Sequence, residues 1–216
     1  MLLQNMSSFV IDLVTMKLYT PPDQKDRGSF YMKLHVMTRI ALMTALCVVG
    51  GLIRIPLGPV PMTLNSFFAA LSGLLLGASA GAWSQLLYVL IGLLGLPIFS
   101  FGGGPSSVMH PTFGFIIGYG LCAWLCGRLL TGKITFFKVV RAVLAGFAAL
   151  YCIGVPWLWF VFNYVMNSSM TFGRALYAGC AVFIPGDLLK VVVLAFIISR
   201  IHSASAIEAF HKGSGE

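Results

Sequence analysis

Apolar residues fill six stretches of the chain, at roughly 34–53, 63–78, 80–99, 112–130, 138–165 and 176–200. Gly/Pro-rich or basic segments punctuate them. Backbone groups in hydrocarbon must pair within their own segment, so the pattern predicts six membrane-crossing helices. The third is expected to be shortened by "GLPIF" (95–99), and the fifth to kink or break at "GVPWLW", where Pro156 removes a donor. Six helices of about 20 residues use up most of the chain. The expected organisation is a lead-in over 1–32, a membrane domain over 33–201 and a tail over 202–216. The lead-in, mildly amphipathic to Thr15 and then turn-rich in "YTPPDQKDRGS", reads as cytoplasmic or interfacial and not as a signal peptide.

Composition agrees: 58% hydrophobic and 9% charged residues, with a mean hydropathy of +0.92, mark an all-α integral membrane protein of the multi-pass, cell-membrane kind. The formal charge of +8 does not point to nucleic acid, because the basic residues flank membrane segments and form no patch with interleaved aromatics. They set an orientation instead. Lys17, Lys25, Arg27, Lys33, Arg39, Arg128, Lys133, Lys138, Arg141, Arg200 and Lys212 fall on one side and Arg54 and Arg174 on the other. The positive-inside rule then places both termini in the cytoplasm. Three Pro/Gly-rich segments, "RIPLGPVPMTLN", "GLPIFSFGGGPSSVMHPT" and "FIPGDLLK", meet on the outer side and look like a cap over a pocket.

Five cysteines, an odd number, argue against a disulfide framework. Cys122 and Cys126 share a helix face but lack the further ligands of a metal site. No Walker A loop or G-x-G-x-x-G pattern occurs, so any energy source has to be an ion gradient or a partner protein.

Between Leu34 and Ser199 the only carboxylate is Asp187, and Lys190 follows three residues later. Each costs roughly 2.5–3.5 kcal/mol within a membrane helix, so such residues face a cavity or one another. At i, i+3 they share a face. An interfacial ion pair with a snorkelling lysine is one reading. The other is a ligand site offering acceptor and donor side by side, suited to a neutral cyclic urea or amide.

The segments "IPLGPVPMTLNSFFAALSGLLLG", "LLYVLIGLLGLPIF", "GGGPSSVMHPTFGF" and "FIPGDLLK" occur in an order and spacing that resemble the BioY family. Its members are biotin-specific S components of energy-coupling factor transporters. The resemblance spans about 35–200 and is weakest over 136–178. It implies a six-helix S-component fold that binds the vitamin near the outer surface, under the loop between helices 1 and 2. It further implies that Asp187 and Lys190 form the polar heart of the pocket; the expected pose has Asp187 accepting a ureido N–H and Lys190 donating to the ureido oxygen, the alternative having Lys190 on the valerate carboxylate.

Asn65 could orient the ligand or cap the second helix. Tyr88 and Gln85, on one face of the third helix, could line the pocket or bond a neighbouring helix. Gly103, within Gly102–Gly104, allows close backbone approach, and His110 reads as a cap residue. Ala41 and Ala45 form an A-x-x-x-A pair. It packs either within the bundle or, as the resemblance implies, against a transmembrane coupling subunit that carries two ATPase subunits. The expected partners are therefore biotin, that module and membrane lipid, with no cofactor or metal. The alternatives are a stand-alone biotin carrier or an S component for another ring-amide vitamin. An enzyme built on Ser106 or Ser107, His110 and Asp187 lacks any motif to position a nucleophile. A channel lacks a repeated polar face.

Overall fold

The structure is a computed structural model that describes residues 25–55, 60–132 and 134–213, with side chains described over 35–55, 60–132 and 134–201. Six longer helices dominate the described residues: α1 (Lys25–Leu52), α2 (Asn65–Leu76), α3 (Ala78–Leu93), α4 (Phe113–Leu129), α5 (Phe136–Phe160) and α7 (Ile184–Gly213). A short helix, α6 (Phe172–Gly179), precedes α7. By length and composition, three stretches among the described residues can cross a membrane: His35–Leu52, Phe136–Val165 and Phe172–Ile201. The shorter apolar helices α2, α3 and α4 lie between them in sequence. At 1.5 Å per residue the 12 residues of α2 reach only about 18 Å, well short of a hydrocarbon core of about 30 Å.

The reason α2 is short is its connection to α3. Gly77 alone joins them, at φ +86°, a left-handed conformation that a side chain would strain. The hairpin is tight enough that a β-carbon at Gly81 would collide with Gly73. The far face of Gly73 is closed in turn by the Ala123 carbonyl of α4, which puts α2, α3 and α4 in direct backbone contact. Small residues permit this, and in lipid such close packing replaces the hydrophobic drive available in water.

Several boundaries differ from the sequence expectations. Helix α1 begins at Lys25, inside the expected lead-in, whose residues 1–24, including the expected interfacial helix, lie outside the described residues. The expected tail from 202 is helical to Gly213. Pro156 does not end α5, which runs on to Phe160 and a π turn at Val161–Val165. Without water to take up freed carbonyls, breaking the helix there would cost more than the single missing hydrogen bond. The sixth apolar stretch is divided at Cys180 (φ −135°, ψ −60°) and a 3₁₀ turn, Ala181–Phe183, before α7 starts.

At the end of the bundle where α1 meets α2, strands β1 (Arg54–Ile55) and β2 (Met62–Thr63) pair antiparallel, Arg54 with Thr63 and Ile55 with Met62. The tip of this loop, residues 56–59, lies outside the described residues. Beside the hairpin, the α3–α4 connection folds back on itself. Phe99 and Gly102 exchange backbone hydrogen bonds, and the Gly104 N–H reaches the Gly92 carbonyl at 2.8 Å. Arg54 donates to the Ser100 carbonyl and so ties the hairpin to this connection.

Candidate functional site

Parts of all three Pro/Gly-rich segments meet at one cavity. Residues 60–63 of the hairpin, Ser100 and Thr112 of the α3–α4 connection, and Phe183 before α7 all line one cavity of about 50 Å³. Its deeper wall comes from the helices: Asn65 and Ser66 of α2, Phe115 and Tyr119 of α4, Leu150 and Tyr151 of α5, and Asp187 and Lys190 of α7. Phe115, Tyr119, Tyr151 and Phe183 give the lining its aromatic surface, and Asn65, Ser66, Asp187 and Lys190 its polar groups.

Asp187 and Lys190 are 7% and 8% exposed, a buried pair with Nζ 3.0 Å from Oδ1. Withdrawing two charges from water costs several kcal/mol per ion, so the pair persists only where the remaining donors and acceptors are met. Lysine carries three N–H donors. Here all three have acceptors: Asp187 Oδ1, Ser66 Oγ at 2.9 Å and the Thr63 carbonyl at 3.1 Å. Lys190 thereby joins α7 to α2 and to the hairpin.

The Met62 thioether packs directly on the Gly186 backbone, in the space a β-carbon would take. Asp187 Oδ2 accepts a hydrogen bond from the Tyr151 hydroxyl. A carboxylate has about four lone-pair sites, so Asp187 keeps acceptor capacity that these two donors do not use.

Asn65, 3% exposed, contributes a second open acceptor. Its Nδ2 donates to the Tyr88 hydroxyl at 3.0 Å, and that hydroxyl donates to the Ile98 carbonyl at 3.3 Å. A carbonyl can only accept, which fixes the direction of the whole relay and leaves Asn65 Oδ1 facing no protein donor among the described residues. Buried polar atoms are rarely left so.

The other expected site residues separate. Tyr88 reaches the cavity only through Asn65, and its ring packs edge-on against Phe99. Gln85 lies elsewhere: its Nε2 is 3.2 Å from both Cys47 Sγ and Ser72 Oγ and 3.1 Å from Ser84 Oγ, a helix-to-helix network joining α1, α2 and α3. Gly103 packs against the Leu96 carbonyl, where a β-carbon has no room, and seals the connection without lining the cavity.

His110, in the α3–α4 connection and not among the cavity-lining residues, stacks on Phe101 with ring centroids 3.7 Å apart and has Nδ1 2.7 Å from Thr112 Oγ1. Its burial lowers the imidazole pKa below the ordinary value. Ala41 and Ala45 are exposed on the outer face of α1, in line with Met37 and Val49.

Tyr151, Ser66 and Thr63 are the polar contacts of the pair that local spacing could not supply. Tyr151 did leave one trace: it is the only hydroxyl-bearing residue in α5.

Three comparisons bear on this geometry. The BioY family model matches residues 23–207. The biotin transporter BioY of Thermotoga maritima is 38% identical over 166 residues, covering 76% of this chain and 94% of that protein. The probable biotin transporter BioY of Lysinibacillus sphaericus is 35% identical over 178 residues, covering 80% and 91%. Among solved structures, the S-component for biotin from an ECF-type ABC transporter is similar, with a TM-score of 0.70 and 28% identity, over 84% of this chain and 95% of that one.

Proposed function

The chain belongs to the BioY family, and from that premise we propose that it is a biotin-binding S component. On this reading it captures the vitamin on the extracellular side and passes it inward with an ATP-driven module of one coupling subunit and two ATPase subunits. It is a transport subunit and not an enzyme. The topology that goes with this function has six membrane passages and both termini in the cytoplasm, with the hairpin and the α3–α4 connection outside.

One observation carries the ligand reading: the cavity holds two unsaturated acceptors, Asp187 and Asn65 Oδ1, in a buried site with an aromatic wall. A cyclic urea presents two N–H donors, and the rings of Phe115, Tyr119 and Tyr151 suit an apolar bicycle. A neutral ligand that satisfies both acceptors removes an otherwise unfavourable burial, which favours it over analogues without N–H groups. Lys190 has no spare donor, so it reaches the ureido oxygen only by giving up Ser66 or Thr63. A cavity of about 50 Å³ holds a few waters. Biotin needs several times that space, so residues 60–63 and Phe183 move outward when it binds.

The exposed Ala41/Ala45 face of α1 is the proposed contact with the coupling subunit, since small residues four apart admit a second helix closely. The test is uptake of labelled biotin in cells without their own biotin uptake, with and without the coupling and ATPase subunits. Uptake that needs both the chain and ATP is expected. Uptake without those subunits and insensitive to ATP depletion would replace the module with a stand-alone carrier. No uptake by membrane-inserted protein in either background would overturn biotin as the substrate.

A further inference from the structure

A second cavity lies outside the ligand site, on the outer surface between α3 and α4. It measures about 470 Å³ and is lined by Ser79, Ala82, Trp83, Leu86 and Val89 of α3, with the stem of Gln85, and by Ile117, Gly120 and Trp124 of α4. The groove is open at Gly120, where a β-carbon would meet nothing within 4 Å. Two exposed tryptophans flank it, Trp83 (59%) and Trp124 (42%).

Its dimensions suit a single hydrocarbon chain. From Ser79 to Val89 is ten residues, about 15 Å along a helix. That is the depth of one leaflet of a hydrocarbon core of about 30 Å. Amphipathic indole rings collect at the boundary between headgroup and acyl chain, and Trp83 and Trp124 lie toward one end of the groove.

That same end carries a positive charge. Arg128 follows Trp124 by four residues and so shares its helix face. The neighbouring Gly127 packs against Gly77 and Ala78, which puts the end of α4 level with the start of α3 and Ser79. Arg128 is exposed. Among the described side chains the only carboxylate is Asp187, which is committed to Lys190 and Tyr151. No protein anion among the described side chains, those of 35–55, 60–132 and 134–201, therefore neutralises Arg128, and a guanidinium is well matched to a phosphate.

We propose that this groove holds one acyl chain of an anionic phospholipid from the leaflet on the Arg128 side, with the lipid phosphate at Arg128 and the Ser79 hydroxyl. The apolar groove supplies the chain contact and Arg128 the headgroup selectivity.

Native mass spectrometry of the full chain in detergent, given equimolar phosphatidylglycerol and phosphatidylcholine with the same acyl chains, tests it. Wild type is expected to retain phosphatidylglycerol severalfold over phosphatidylcholine as the first bound lipid. Arg128→Gln should abolish that preference, and Gly120→Leu, which fills the groove, should lower retention of both. Biotin binding should be unchanged in each variant. If Gly120→Leu fails to fold, Ala82→Leu takes its place.

Equal retention of the two lipids by wild type, or a preference that survives Arg128→Gln, overturns the headgroup assignment. First-lipid retention indifferent to groove filling overturns the groove. A two-chain mass dispersed by Gly120→Leu would assign the face to a second copy and refute the lipid.

Discussion

Removing one member of the Asp187–Lys190 pair should cost very different amounts depending on which charge is left behind. Lys190→Met leaves a buried carboxylate with the Tyr151 hydroxyl as its only protein donor. An uncompensated buried charge of this kind costs about 3–5 kcal/mol. Asp187→Asn leaves an ammonium that still has Ser66 Oγ and the Thr63 carbonyl, and the new amide oxygen can still accept. Losing one charge-assisted bond under those conditions costs about 1.5–3 kcal/mol. The double variant Asp187→Asn/Lys190→Met leaves no buried charge and should be less damaged than Lys190→Met alone.

For a chain of this length 1 kcal/mol shifts Tm by about 2–4 °C, so Lys190→Met should fall by about 6–20 °C. Thermal unfolding in detergent, followed by tryptophan fluorescence, gives all three values. A double variant whose loss equals the sum of the two single losses would refute the coupling, as would Lys190→Met melting within a degree of wild type.

Other consequences follow from the same contacts. Asn65→Leu removes the open acceptor and also frees the Tyr88 hydroxyl it bonds, so biotin affinity should fall by about tenfold, or about 1.4 kcal/mol, by calorimetry. An unchanged Kd would show that Oδ1 does not meet the ligand. His110 holds its proton less well than a free imidazole because it is half-buried. The unfolded chain therefore takes up that proton first, near pH 6.5, and His110's contribution is present above that pH and is lost as pH falls through its lower folded value. His110→Gln should flatten the Tm–pH slope below about pH 6.5 relative to wild type, and equal slopes would contradict this. Ala41→Leu/Ala45→Leu should leave biotin binding intact and lower coupled uptake on the order of tenfold, about 1.4 kcal/mol of docking energy. Undiminished uptake would move the docking face elsewhere.

Local spacing made some features of the fold and site readable in the sequence and hid others. Asp187 and Lys190 are three residues apart, so any helix puts them on one face, and their rarity in apolar sequence marked them out. The convergence of the Pro/Gly-rich segments was readable for a similar reason, because orientation places them at one end. Tyr88 and Gln85 were harder. Periodicity assigns both to one face of α3 but does not say whether that face meets the cavity or α1 and α2, and the structure divides them between the two. Tyr151 lies 36 residues before its partner, and nothing local links them. The break at Cys180 was invisible because hydropathy is continuous across it, although the backbone turns sharply there. The α2–α3 hairpin depends on Gly77 adopting positive φ, which one glycine among 24 does not announce.

Titration of biotin into the purified chain and into Asp187→Asn, with thermal unfolding to confirm that both are folded, tests the central claim most directly. Loss of one hydrogen bond to a charged acceptor predicts binding weaker by about 10–150-fold in the variant, or about 1.5–3 kcal/mol. Folded Asp187→Asn protein that binds biotin as wild type does would contradict the account at its core.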